Sequence, residues 1–179
     1  LSWVVEKRLG EGEDLYDNEQ LPLQYAFLSV HLSATSECME FVTKIFIKDN
    51  NNECDWHGVT CGGSGSITRL DMPEEGLLGT IPPTISLLSN GLSHINLCEN
   101  SLVGSLPREM FDLTNLSMLD LSHNSFSGSI PTTIGKATNL AELRLFNNKF
   151  SSTLPSDIGG ATSLKTMQVA NNKVSGSIP

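Results

Sequence analysis

LDLSHNSFSGSIP, residues 119–131, combines three structural signals in one short run. Leu119 and Leu121 alternate with polar neighbours, the period-2 pattern of a strand buried on one side. Asn124 follows, a residue whose amide competes for nearby backbone groups and so favours turns. Gly128 and Pro131 close the run: one accepts backbone angles that a side chain would oppose, the other fixes φ. Moving outward in either direction by 24 residues finds the run again, with Asn100, Asn124, Asn148 and Asn172 in register. Pro107, Pro131, Pro155 and Pro179 keep the same step, each seven residues after its asparagine. An earlier copy, LDMPEEGLLGTIP at 70–82, has Glu75 in the asparagine position. Its Pro82 lies 25 residues before Pro107, which implies one inserted residue, assigned to Gly91.

The apolar positions between these landmarks are fixed as well. In the third unit they are Leu116, Leu119, Leu121, Phe126 and Ile130, and the other four units repeat that spacing. A unit of this kind cannot enclose its own apolar set, so stability requires stacking on neighbours. The expected fold is an α/β solenoid, right-handed, with short parallel strands on its concave face. The leucines turn inward, Phe126 and Phe150 stack in the core, and the residues between leucines line the open face. The asparagine side chains are expected to satisfy backbone groups that the strand ladder leaves free.

The repeating L-x-x-L-x-L-x-x-N-x-L-x-G-x-I-P unit, with SGSIP at 127–131 and 175–179, resembles the plant-type subclass of leucine-rich repeats. That subclass includes ectodomains of receptor kinases, receptor-like proteins and polygalacturonase inhibitors. Ser152 in place of Gly and Glu75 in place of Asn depart from the pattern. The resemblance implies an extracellular or cell-surface protein that recognises another molecule.

An open solenoid end leaves core and strand edge bare, so a cap is expected ahead of the repeats. CDWHGVTC, residues 54–61, is similar to the C-x-W-x-G-V-x-C ending of plant-type N-terminal caps. That resemblance implies a Cys54–Cys61 disulfide and places Trp56 over the first repeat; the alternative is a pair of free thiols. Further upstream, Leu23, Ala26, Phe27, Val30 and Ala34 make a helical stripe behind Pro22, and Leu1, Val4, Val5 and Leu9 a weaker one. The segment 1–61 also resembles leucine-rich-repeat proteins of diatoms and related algae. The expected organisation is a helix and acidic linker at 1–20, a cap at 21–66 and five repeats at 67–179, the last truncated.

Charge and motifs exclude several classes. The formal charge is −9, and residues 1–66 hold 11 acids against 4 bases, whereas 67–179 hold 9 against 7. Nucleic-acid binding needs clustered Lys and Arg, which are absent. No membrane-spanning apolar run is present. Neither G-x-S-x-G, a P-loop, H-E-x-x-H nor the kinase signature set occurs, so no enzymatic activity and no cofactor are expected. A metal site from His94, Cys98 and His123 lacks any ligand-spacing motif. Cys38 and Cys98 are expected to be unpaired, with the Cys98 thiol accessible on an outward strand position.

The register predicts three concave columns. Arg69, His94, Met118, Glu142 and Thr166 form one; Asp71, Asn96, Asp120, Arg144 and Gln168 the second; Pro73, Cys98, Ser122, Phe146 and Ala170 the third. His94, Asn96, Asp120, Glu142, Arg144, Phe146 and Gln168 are the expected ligand-binding residues, with Arg144 and Phe146 as anchors because Arg and aromatic residues dominate interface energies. Mixed charge suits a protein or peptide ligand, with a cell-wall polysaccharide as another partner class. An enzyme inhibitor or wall-associated module, and the ectodomain of a receptor kinase, are alternative readings. Asn115-Leu116-Ser117 is a glycosylation sequon.

Overall fold

A computed structural model describes residues 53–177 and 179 of the chain. The two upstream helical stripes, the 1–20 linker and Cys38 lie outside the described residues, as does Ile178. In chain order the strands are β1 (Val59–Cys61), β2 (Ile67–Asp71), β3 (Leu78–Gly79), β4 (His94–Asn96), β5 (Ser101–Gly104) and β6 (Met118–Asp120). They continue as β7 (Ser125–Gly128), β8 (Glu142–Arg144), β9 (Lys149–Thr153), β10 (Thr166–Gln168) and β11 (Lys173–Ser175).

The strands form two sheets. One is the concave sheet, ordered β1-β2-β4-β6-β8-β10, parallel from β2 onward. Its register pairs Leu70 with Ile95, Ile95 with Leu119, Leu119 with Leu143 and Leu143 with Met167. The second, lateral sheet is ordered β3-β5-β7-β9-β11 and is also parallel. Parallel neighbours require a crossover, and here each crossover is one solenoid coil. The coil passes through a lateral strand and then a 3-10 helix: Pro83–Leu88, Arg108–Asp112, Thr132–Lys136 or Ser156–Gly160. Pro82, Pro107, Pro131 and Pro155 precede these helices with φ between −80° and −61°, the range that the pyrrolidine ring imposes. The first helix has six residues and the others five, so the insertion expected at Gly91 is absorbed by this longer helix and its exit turn.

Between the sheets and helices lies one continuous core. Leu116, Leu119, Leu121, Phe126, Leu140, Leu143, Leu145 and Phe150 are wholly buried. Each such side chain contributes about 1.5–3 kcal/mol relative to exposure. Phe126 and Phe150 stack with ring centroids 6.2 Å apart, one coil above the other, as their register requires. In the final coil Leu164, Met167, Val169 and Val174 are only partly buried, because a neighbour packs on one side alone.

The asparagine ladder lies where the turn leaves each concave strand. Asn124 Nδ2 donates to the carbonyls of Leu97 (2.9 Å), Leu121 (3.3 Å) and Ser122 (3.2 Å), while its Oδ1 accepts from Leu102 N–H at 2.9 Å. Asn100, Asn148 and Asn172 repeat this set in their own coils. Consecutive coils are thereby joined through backbone groups that would otherwise be buried without partners.

The cap closes the other end. Cys54 and Cys61 are disulfide-bonded with Cα atoms 5.5 Å apart, and Trp56 packs against the core. β1 runs antiparallel to β2 and so covers an edge that a parallel array leaves open. Gly58 has φ +74°, and a Cβ there would lie 2.5 Å from both Asp71 O and Met72 Cγ, which leaves no residue but glycine at this crossing. Glu75, in the asparagine position of the first coil, accepts from or pairs with His57 Nε2 at 2.7 Å. The departure from the repeat thus ties cap to array.

Candidate functional site

The concave sheet presents two of the three predicted columns paired in the predicted register: Arg69, His94, Met118, Glu142 and Thr166 are aligned, as are Asp71, Asn96, Asp120, Arg144 and Gln168. Strand alternation buries each central leucine or isoleucine and leaves its two flanking side chains facing outward. These flanking groups are organised by one another. Arg144 donates to Glu142 Oε2 at 2.8 Å and to Asp120 Oδ2 at 3.3 Å, which joins neighbouring strands β6 and β8. Asp120 is 6% exposed, and its Oδ1 accepts from both Ser122 N–H (3.0 Å) and Ser122 Oγ (2.6 Å). One coil earlier Asn96 plays the same part: its Oδ1 accepts from Cys98 N–H at 3.3 Å and its Nδ2 donates to Asp71 at 2.8 Å. His94 is half-buried, with Nδ1 2.8 Å from Ser93 Oγ. Gln168 is exposed at the far end of the sheet.

Of the expected anchors, Arg144 is committed within the molecule and Phe146 is available. Phe146 is half-exposed and packs edge-on against His123 with centroids 5.0 Å apart. It also lines a shallow recess with Met167, Gln168, Val169 and Ala170. An aromatic face beside an immobilised guanidinium offers contact area whose ordering cost is already met.

Cys98 has a free thiol, on the outward position expected of it, but it is half-buried rather than openly accessible. Burial pushes its pKa up, and the carboxylates of Asp120, Glu99, Glu74 and Asp71 push in the same direction. Among the described residues no group of His, Cys, Asp and Glu has metal-holding geometry. No helix among them is long and apolar enough to cross a membrane.

A fourth column escaped the sequence reading. Glu74, Glu99, His123, Asn147 and Asn171 each precede a ladder position and all adopt φ of 53–56°. This left-handed conformation turns their side chains out along the rim of the concave face. Asn171 Nδ2 donates to Asn147 Oδ1 at 2.5 Å, and Asn147 Nδ2 lies 3.1 Å from the His123 ring nitrogens. The available signal was the polar residue that comes before every ladder position, including three Asn and His residues that tolerate positive φ.

Asn115 is exposed, between the helix Arg108–Asp112 and β6, where the coil returns to the concave sheet. Its Nδ2 donates to Ser89 O at 3.2 Å.

Comparisons place these features among known proteins. The family profile described as Leucine Rich Repeat matches residues 115–137 and 139–161. A chain of the BIR3–SERK2 complex from Arabidopsis thaliana is 30% identical, with a TM-score of 0.76, over 90% of this chain and 86% of its own. The leucine-rich-repeat ectodomain of the receptor kinase SOBIR1, also from Arabidopsis thaliana, is 32% identical with a TM-score of 0.67, over 80% and 82% respectively. In sequence, the receptor protein kinase WSS1 of Oryza sativa subsp. japonica is 41% identical over 61 residues, 33% of this chain. The chain spans only 7% of the length of that relative.

Proposed function

Because the chain belongs to the leucine-rich-repeat family, in the form found in plant receptor-like ectodomains, we propose that its concave face holds a protein or peptide partner. The disulfide-closed cap fits the extracellular or cell-surface location of such ectodomains. The observation that carries the reading is the concave arrangement itself. An Arg144–Asp120–Glu142 network is fixed beside the half-exposed Phe146–His123 pair, whereas Phe111, Phe126 and Phe150 are buried. Fixed polar groups supply register and specificity, and the aromatic pair supplies desolvated area. That one similar structure is titled a complex of two proteins supports a protein partner here as well.

The same reading makes the chain a binding module without catalysis. Asp120 and Glu142 are both engaged by Arg144, and Asp71 by Asn96, so the concave carboxylates have the partners of a structural network. In a receptor kinase the chemistry would reside in another part of the protein, and the relatives' names make that the favoured context.

The test is selection of a random peptide library on the immobilised chain, repeated on Phe146→Ala and on Arg144→Glu/Phe146→Ala. Peptides enriched on the parent should lose at least tenfold in affinity on Phe146→Ala and more on the double variant. Phe146→Ala is the cleaner probe, since removing Arg144 also strips the counter-charge from buried Asp120. Equal binding to parent and variants would move recognition off this face.

A further inference from the structure

We propose that Asn115 carries an N-linked oligosaccharide, which shields the flank where the coils return to the concave sheet and leaves the concave and lateral sheets as the faces open to partners. Asn115-Leu116-Ser117 is the one Asn-x-Ser/Thr tripeptide in the sequence. The structure puts Asn115 at an exposed corner, three residues before β6. The amide has two N–H bonds. Nδ2 lies 3.2 Å from Ser89 O and 3.5 Å from Asn90 O, so a sugar replaces the N–H of the longer contact and the shorter one is kept. In the transfer, Nδ2 bonds to the anomeric carbon of a lipid-linked oligosaccharyl pyrophosphate. The bond from that carbon to the pyrophosphate oxygen breaks, the lipid pyrophosphate leaves, and one amide proton passes to a base of the transferase.

The disulfide gives independent support for the compartment, because Cys54–Cys61 is formed where secreted chains are oxidised and where such transfer takes place. Timing follows from the geometry. Leu116 is wholly buried, and the Ser117 hydroxyl donates to Ser93 O at 2.9 Å. The tripeptide cannot leave this position to enter a transferase once the coil has closed, so the chain is modified as it enters the compartment, before folding. Afterwards the same packing holds the modified residue outward.

The next coil supplies an internal control. Asn139 occupies the equivalent corner, is exposed, and donates from Nδ2 to Thr114 O at 2.8 Å, but Ala141 stands where Ser117 does. Ala141 N–H donates to Ser117 O just as Ser117 N–H donates to Ser93 O. A serine at 141 therefore completes a second sequon with the same backbone environment.

The experiment is expression of the full chain behind a secretion signal in eukaryotic cells, with intact mass read on intracellular and secreted pools before and after peptide-N-glycosidase. The parent should show one glycosidase-sensitive mass step, Asn115→Gln and Ser117→Ala none, and Ala141→Ser two. Because Ser117→Ala also removes a backbone contact, Asn115→Gln decides the assignment. A parent chain without the step overturns the proposal whatever Ala141→Ser shows, and so does a step that survives Asn115→Gln.

Discussion

Asn148 shows how much one side chain carries in this fold. It is 9% exposed, donates to Leu121 O and Leu145 O at 2.8 and 3.2 Å, and accepts from Phe126 N–H at 2.9 Å. Asn148→Ala orphans Phe126 N–H, while Leu121 O and Leu145 O keep Asn124 Nδ2 and Asn172 Nδ2, and should cost about 1–3 kcal/mol, read as a lower urea midpoint. Ser152 is the opposite case: it has φ +72° where the other coils place Gly104, Gly128 and Gly176 at +79° to +84°. Ser152→Gly should relieve a left-handed strain of about 1–2 kcal/mol, less about 0.5–1 kcal/mol of added chain entropy, and so raise the midpoint slightly. Cys98 gives a pH test. Since burial and nearby carboxylates raise its pKa, the thiol stays protonated to higher pH than a free cysteine. Its alkylation should be slow near neutrality, rise only in more alkaline buffer, and speed up in Asp120→Asn. The ladder was legible because asparagine recurs at a turn. The left-handed rim was marked only at His123, Asn147 and Asn171, residue types that tolerate positive φ; nothing at Glu74 or Glu99 announces it.

At the scale of elements, the concave strands could be read directly from alternation: Leu119 and Leu121 are buried at either side of an outward-facing neighbour, as are Leu70 and Met72 and Leu143 and Leu145. The lateral sheet could not. β5 and β7 have four residues each, starting after a ladder asparagine and ending at a glycine, each with one buried position, Leu102 or Phe126. One apolar residue defines no period, and pairing arises only when coils stack. The 3-10 helices were marked by proline alone, which fixes where they begin but not which helix follows. The cap was legible through its resemblance to CxWxGVxC, whereas its strand pairing with β2 was not, because β1 has only three residues. Replacing Cys54 and Cys61 by serine should lower stability by about 2–3 kcal/mol for so short a loop. Trp56 fluorescence should then report cap opening at lower denaturant than the far-UV signal of the array.

For the molecule as a whole, the repeat register located the concave face before any coordinates, since identical spacing places equivalent residues side by side. What it left open was which of those residues are free. Arg144 read as an anchor from its column, yet its guanidinium is held by Asp120 and Glu142, a choice made by side-chain rotamers and neighbouring charges across strands. Phe146 and Gln168 remain available at one end, and the acidic rim of Glu74 and Glu99 lies at the other. The central claim is that partners bind along this concave surface. The most direct measurement places a photoreactive amino acid at Gln168 on the concave sheet, at Ser127 on the lateral sheet or at Thr133 on the helical side. Each secreted chain is irradiated on cells that bind the parent. The account predicts a cross-linked partner from position 168 that is competed by unlabelled parent chain, and none from 127 or 133. A competed cross-link from 127 or 133 with none from 168 would contradict it.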